Sequence, residues 1–364
     1  MPDVSSDIPI SEAAAGRAQR LLEDVHARRA RSAAGPLFVE LSANNFCNLR
    51  CAFCYGAGKP APSELTPEQH EHLLDALLPG ADVVIPSAGS EPFLGDLERT
   101  LAAVRRHGNR LLLITSGYYL TEEWCEVLAP FLYRLQISLD SHVGETYEEL
   151  RAGSDFERVS RNLKTAARML GERGLSHRLV VSAVATSRNF HELPAMVEEV
   201  RSWGAEVFLI QQLYEGNGKF SHLLLEHKYS QEQIEEGRAA IAEAAKRAGA
   251  EVMIASLPVR LHAYRGEGAA PVEWDPEHTR ALLSELPGAC YQAFEWMKVA
   301  PDGSVYPCCV APEELRIGSA LKGDPQKLYH ARRWRALRKG FLKGKMPDVC
   351  ERCTLRQQYV DWVK

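Results

Sequence analysis

The chain has no uninterrupted run of about 18 apolar residues, the length a helix needs to cross a bilayer, so no membrane-spanning helix is expected. It has no basic excess either: 43 Lys and Arg against 48 Asp and Glu leave a formal net charge of −5, so nucleic acid is not the default partner. The segment Met1 to Ile10 carries acids where a secretory signal would place a basic stretch and then an apolar one, and the expected location is the cytoplasm. No internal repeat or low-complexity tract interrupts the sequence. What is present is ordinary for a globular protein, 45% hydrophobic and 25% charged residues. The length of 364 residues suffices for one large α/β domain with a smaller appendage. The nine cysteines, in a reducing compartment, point to metal binding or catalysis before disulfides.

Along the chain, residues 11–33 carry a helical pattern, either a leading helix that packs on the main domain or a frayed arm. From Pro36 a rhythm sets in. Short β-branched apolar runs at 37–41, 83–86, 111–115, 134–139, 179–183 and 207–211 alternate with amphipathic segments at 66–78, 94–107, 121–132, 156–171 and 193–203. Thr66-Pro67-Glu68-Gln69 is a helix start, and Gly108, Gly171, Gly174 and Gly204 stand where helices should stop. Such alternation means parallel strands with right-handed crossovers, in a partial barrel or a doubly wound sheet. After Tyr214 the rhythm breaks: residues 215–219 read as a loop, 231–248 as one helix, 252–256 as a strand and 264–289 as a connector. Pro301-Asp302-Gly303 between two short apolar runs signals a hairpin, and a basic helix follows around 331–343.

Cys47, Cys51 and Cys54 stand directly after the first strand with the spacing Cys-x3-Cys-x2-Cys. Thiolates in this pattern can hold three irons of a cubane and leave the fourth open, whereas zinc would want another ligand close by. The run, with Phe53 just before the last cysteine, resembles the signature of the radical S-adenosylmethionine (SAM) superfamily. Other strand ends are similar to that family too. Ser87-Ala88-Gly89-Ser90-Glu91-Pro92 resembles its Gly-Gly-Glu-Pro segment, which binds the amino group of the methionine moiety. Thr115-Ser116-Gly117 and Ser138-Leu139-Asp140 stand where the family has Thr-Asn-Gly and Ser-Leu-Asp. The resemblance therefore implies cofactor contacts from Phe53, Tyr55, Ala88, Gly89, Ser90, Glu91, Pro92, Ser116, Ser138, Asp140 and Ser182. Asp140 is read as ordering its loop or facing substrate, and Ser182 equally as an ordinary strand serine. Active sites at the C-terminal ends of parallel strands are the rule in such sheets.

Cys290, Cys308, Cys350 and Cys353 offer a second set, and four thiolates suit either a [4Fe–4S] cluster or zinc. The stretch from Trp296 through Cys308 and Cys309 resembles the hairpin of SPASM domains, and the cysteine count favours the shortened, "twitch" version with one auxiliary [4Fe–4S] cluster. The spacing is similar to that of an aminocyclitol dehydrogenase from antibiotic biosynthesis. Cys125 is expected to be buried, and Cys309 is either a hydrogen-atom donor or a bystander.

The fold expected is thus α/β: a partial (β/α)6 TIM-like barrel with a small C-terminal α+β auxiliary-cluster domain. The segments are an N-terminal helical extension (1–35), the radical SAM core (36–213), a connector (214–289) and the SPASM/twitch-like domain (290–364). The resemblance implies reductive cleavage of SAM, formation of a 5′-deoxyadenosyl radical and abstraction of a hydrogen atom. A flavodoxin or ferredoxin would supply the electron. Dehydrogenation and epimerisation both remain open as outcomes, hence an oxidoreductase or an epimerase. Because only about 35 residues precede the first strand, short for a leader-capturing domain, the substrate expected is a polar small molecule: a sugar, an aminocyclitol or a nucleoside. The alternatives are a ribosomally made peptide and, in another class, a non-catalytic iron–sulfur or zinc sensor. Tyr118, Tyr119, Gln211, Gln212, Tyr214 and His222 fall at or beyond strand ends and are pocket candidates, with His142 and His222 as candidate bases. The basic stretch from Arg332 is read as a charged helix face rather than a nucleic-acid site.

Overall fold

The computed structural model describes residues 16–17, 20–21, 23–25, 27–32, 34–54, 61–87, 89–213, 219–254, 290, 292–351 and 353. Its strands are β1 (Phe38–Leu41), β2 (Arg50–Cys51), β3 (Val83–Ile85), β4 (Arg110–Thr115), β5 (Leu132–Ser138), β6 (Arg151–Ala152), β7 (Leu179–Ala185), β8 (Val207–Gln212), β9 (Glu251–Ile254), β10 (Trp296–Val299), β11 (Ser304–Tyr306) and β12 (Gly318–Ser319). All the strands expected from the alternation form, as β1, β3, β4, β5, β7 and β8, and the fold is mixed α/β with a parallel sheet. The chain divides into two compact units, each discontinuous in sequence.

The first unit holds Met1–Phe46, Pro60–Leu112 and Pro258–Lys364. Its strands run in the order β12-β11-β10-β1-β3-β4, with β4 shared at Leu112 between the two units. β1 and β3 are buried throughout and apolar apart from Glu40, which is the pattern of strands covered on both faces. The helix Pro67–Leu77 starts on the expected capping box: Gln69 N–H donates to Thr66 Oγ1 at 3.2 Å and Thr66 N–H to Gln69 Oε1 at 2.9 Å. The helix Leu97–His107 ends on left-handed Gly108. Residues 20, 21 and 23–25 of the leading segment are helical, and Leu21 and Val25 are buried. Each such side chain contributes roughly 1.5–3 kcal/mol of burial. Arg17 adds an ion pair with Asp82 and a bond to the Ala81 carbonyl at 3.2 Å. The leading segment therefore packs rather than frays over these residues.

The hairpin forms where expected, with Gly303 at φ 79° in the turn and the Asp302 carboxylate accepting from Ser304 N–H at 2.8 Å and from its hydroxyl at 2.9 Å. Its first strand does something a linear reading does not provide. β10 pairs in parallel with β1, register Phe38 to Trp296. Trp296 stacks on Phe38 at 5.4 Å, and its indole N–H donates to the buried Glu40 carboxylate at 2.8 Å. The basic helix, Arg332–Phe341, buries Trp334, Arg338 and Phe341 and turns Arg332, Arg333, Arg335 and Lys339 to solvent, a charged face. Arg338 lies 3.9 Å over the Tyr329 ring and donates to the carbonyls of Ala293 (2.7 Å) and Tyr329 (3.1 Å); Trp334 Nε1 also donates to Ala293 at 2.8 Å. The segment after Cys290 is held by these bonds.

The second unit holds Cys47–Lys59 and Leu113–Leu257. β5, β7, β8 and β9 lie side by side, all parallel. The helix Phe156–Glu172 starts on Asp155 and runs through Gly171; the chain turns at Gly174, φ 71°. The helix Gln231–Ala248 has the expected bounds and ends on left-handed Gly249. Two elements were not expected. One is the short helix Gly144–Leu150; the other is the two-stranded antiparallel pair β2–β6. Residue 256 and the connector at 264–289 lie outside the described residues. Among the described residues no helix is long and apolar enough to cross a membrane.

Candidate functional site

Cys47, Cys51 and Cys54 open the second unit, each half-buried. Cys54 N–H donates to the Cys51 carbonyl at 3.2 Å, and Leu49 N–H to the Cys47 sulfur at 3.5 Å. Cys51 sits on β2 opposite Arg151 of β6, with Ala52 N–H on the Leu150 carbonyl at 2.8 Å. Burial pushes the Cys51 thiol up to about 11; Arg151 pulls it the other way, and Asp140, Cys54 and Cys47 add to the rise. The three sulfurs thus feel one another. Thiolates gathered in a half-buried loop need a cationic group to take up their charge, which is what iron supplies.

The strand ends hold the other candidates. In the first unit Glu91 is buried, its N–H donates to the Phe46 carbonyl at 2.9 Å, and Pro92–Leu94 makes a 3₁₀ turn after it. Asn44 ties the same loop, accepting from Phe46 N–H at 3.0 Å and donating to Leu94 O at 2.7 Å. Gly89 has φ 77°, a conformation side chains avoid. Ser90 is half-buried and Pro92 is buried. In the second unit Gly117 also has positive φ, and its N–H donates to Thr115 Oγ1 at 3.1 Å beside buried Ser116. Ser138 and Ser182 are register partners on β5 and β7, so their side chains share one face. Asp140 is fully buried. One carboxylate oxygen accepts Val184 N–H at 2.8 Å, the other accepts the Arg151 guanidinium, and its carbonyl accepts Asn189 Nδ2 at 2.7 Å. Its geometry is that of a residue ordering its loop. Phe53 packs against Leu213, Phe220 and Leu223. Tyr118 meets Tyr119 edge-on at 5.1 Å and carries Arg158 over its ring, whereas His222 is exposed. Gln211 and Gln212 are half-buried at the end of β8, and His142 Nδ1 is buried without a partner among the described residues. Tyr55, Ala88 and Tyr214 lie outside the described residues.

Two of the C-terminal cysteines are perturbed as well. Burial pushes Cys290 up to about 12, with Cys353 and Cys350 adding to the rise. Burial raises Cys308 well above its ordinary value, with Cys309, Cys290 and Cys353 adding. The Cys309 thiol donates to Gln292 Oε1 at 3.9 Å, while its carbonyl accepts Lys298 Nζ at 2.7 Å. Cys125 is buried in the helix Glu122–Leu128. Among the described residues no three His, Cys, Asp or Glu side chains are placed to share one metal ion. A cubane asks for something else, since each thiolate takes a different iron, and both cysteine sets fit that donor chemistry.

The family model of the radical SAM superfamily matches residues 41–199, and that of an iron–sulfur cluster-binding domain, SPASM, matches 290–354. The chain carries a radical SAM domain followed by a SPASM domain. Its radical SAM domain binds a [4Fe–4S] cluster and SAM, and its SPASM domain binds auxiliary iron–sulfur. The chain is similar to the antilisterial bacteriocin subtilosin biosynthesis protein AlbA of Bacillus subtilis, 22% identical over 86% of this chain and 65% of AlbA. It is also similar to a GTP 3′,8-cyclase of Synechococcus elongatus, 28% identical over 50% of this chain and 54% of the cyclase. It thus spans less than two-thirds of the length of either relative. In structure it resembles Streptococcus suis SuiB bound to SAM, with a TM-score of 0.62 at 16% identity over 89% of this chain and 72% of SuiB, which is a likeness of fold.

Arg151 and Gly153 were missed from sequence. Arg151 contacts Cys51 from 100 positions away, which no local pattern reveals. Gly153, φ 95°, lets its backbone approach the loop between the first two cysteines: a Cβ there would meet Asn48 O at 3.1 Å. A glycine just past a helix end was the only available signal.

Proposed function

We propose that this radical SAM enzyme modifies a ribosomally made peptide. In this reading Cys47, Cys51 and Cys54 hold the first cluster, and Cys290, Cys308, Cys350 and Cys353 hold one auxiliary [4Fe–4S] cluster. Gly89, Ser90, Glu91, Ser116, Ser138 and Ser182 position SAM. When bound, these groups supply a carbon radical able to take a hydrogen atom from an unactivated carbon. The chain's own part is to hold the cofactor and the target carbon in contact and to keep water out. Asp140, bonded to Val184, Asn189 and Arg151, orders the loop that follows it rather than touching substrate.

One observation carries the choice of a peptide: the likeness to SuiB extends to its complex with the precursor peptide SuiA, where it covers 93% of this chain at a TM-score of 0.60. AlbA, by its name a bacteriocin biosynthesis protein, supports the same reading. The polar small molecule expected from the short N-terminal segment becomes the second reading, favoured by the GTP 3′,8-cyclase likeness over half of the chain. Crosslinking and epimerisation are both compatible with a peptide, and Cys309 is the candidate hydrogen donor for the latter. A flavodoxin or ferredoxin is the proposed electron source.

The test is anaerobic purification, an iron count, and incubation with SAM and dithionite. About eight irons per chain are expected, falling by about half in Cys47/Cys51/Cys54→Ala, with 5′-deoxyadenosine formed only by the wild type. Mass spectrometry of a short precursor peptide encoded beside the gene should show a change in mass, or deuterium uptake from D2O. A peptide left unchanged while a sugar, aminocyclitol or nucleoside is consumed would transfer the assignment to the second reading. No 5′-deoxyadenosine from a fully loaded protein would leave a sensor.

A further inference from the structure

We infer that Arg151 is a positioning residue for the first cluster, which eases its one-electron reduction by donating a hydrogen bond to the sulfur of Cys51, with Asp140 as the counterweight that limits the effect. The inference rests on the reading that Cys51 is a ligand of that cluster.

Geometry carries it. Arg151 Nη1 lies 3.8 Å from Cys51 Sγ, within N–H···S range. Nε of the same guanidinium donates to Asp140, whose side chain is 0% exposed against 11% for Arg151. The guanidinium carbon lies 5.6 Å from the Phe53 ring centroid, so the residue before the last cysteine covers it. The backbone fixes the distance: Cys51 and Arg151 are register partners on β2 and β6. Asp140 cannot swing away, because Val184 N–H holds its other oxygen at 2.8 Å. A largely covered, paired guanidinium aimed at a ligand sulfur is more than a strap, since the β2–β6 backbone bonds already hold the loop.

The consequence is electrostatic. A cluster held by these cysteines would gain one negative charge from an external one-electron reductant, shared with the thiolate sulfurs. No proton moves, because the guanidinium is charged before and after. A donor at the sulfur favours the more negative state, and hydrogen bonds to cluster sulfurs set reduction potentials. The Asp140 carboxylate, one residue further out, disfavours that state. The two side chains therefore push the potential in opposite directions.

The experiment compares the wild type with Asp140→Asn and with the double variant Asp140→Asn/Arg151→Met, all loaded without oxygen. Asn keeps an oxygen for Val184 N–H, and the double variant leaves no buried charge unpaired. Iron is counted, and the midpoint potential is read from the electron paramagnetic resonance signal that changes when SAM is added, which selects the first cluster. Asp140→Asn should raise the potential. The double variant should fall below wild type, by about tenfold in the reduction equilibrium, about 59 mV for one electron. A purely structural role would not give opposite signs. Potentials that stay at the wild-type value, or shift in the same direction, overturn the inference. If the double variant takes up no iron, Asp140→Asn decides alone, and an unmoved potential there overturns it. Iron content unchanged in Cys51→Ala would instead overturn the ligand reading beneath it.

Discussion

Replacing Gly153 by alanine should cost the first cluster while sparing the fold. Gly153 has φ 95°, where an L side chain is strained at a cost of about 1–3 kcal/mol. Its new Cβ would lie 3.1 Å from the carbonyl oxygen of Asn48 and 3.8 Å from Leu49 Cα, both backbone atoms of the loop between Cys47 and Cys51. That loop must then yield by a few tenths of an ångström, in a place where β2–β6 pairing sets the position of a ligand sulfur. Gly174 is the matched control: its φ is 71°, also left-handed, but a Cβ there meets nothing within 4 Å. Both alanine variants should lower the thermal midpoint by a few degrees, at about 2–4 °C per kcal/mol. Only Gly153→Ala should lose iron at the first site on anaerobic reconstitution, and with it 5′-deoxyadenosine. Equal iron in the two variants, or loss of iron from Gly174→Ala, would refute the reasoning.

Three further outcomes are expected. Trp296→Phe removes the indole donor to buried Glu40 and should destabilise the chain by about 1–3 kcal/mol in urea titrations of the first unit's fluorescence. Arg338→Met strips the carbonyls of Ala293 and Tyr329 of a charged donor, at about 1.5–3 kcal/mol each; iron at the second site should fall with it, because Ala293 follows Cys290 closely. The metal-free chain should lose stability at high pH. Burial pushes Cys290 from its ordinary 9.0 up to about 12, so the folded state keeps a proton that the unfolded state releases. That contribution is complete below pH 9.0 and declines as pH rises toward about 12; denaturant midpoints at pH 8 and 10.5, with and without iron, check it.

Periodicity and capping are local properties, and they were legible. The runs at 83–86 and 179–183 announced buried parallel strands, which form as Val83–Ile85 and Leu179–Ala185; Thr66 and Gln69 announced a helix start, and Pro301-Asp302-Gly303 a hairpin. The spacing of Cys47, Cys51 and Cys54 pointed to a cluster loop, because ligands close in sequence need no fold to meet. Helix ends were ambiguous where several glycines compete, and Gly171 lies inside a helix that the chain leaves only near Gly174.

Tertiary structure alone decided the rest. That the hairpin of the SPASM segment extends the edge of the first strand depends on Trp296 meeting Glu40 across 256 positions. That Asp140 faces inward, and that Arg151 reaches Cys51, depends on β6 returning to β2 across 100 positions. Pairings of that kind arise when strand edges and buried charges find partners after collapse, and nothing in a residue's own neighbours encodes which distant partner it will be.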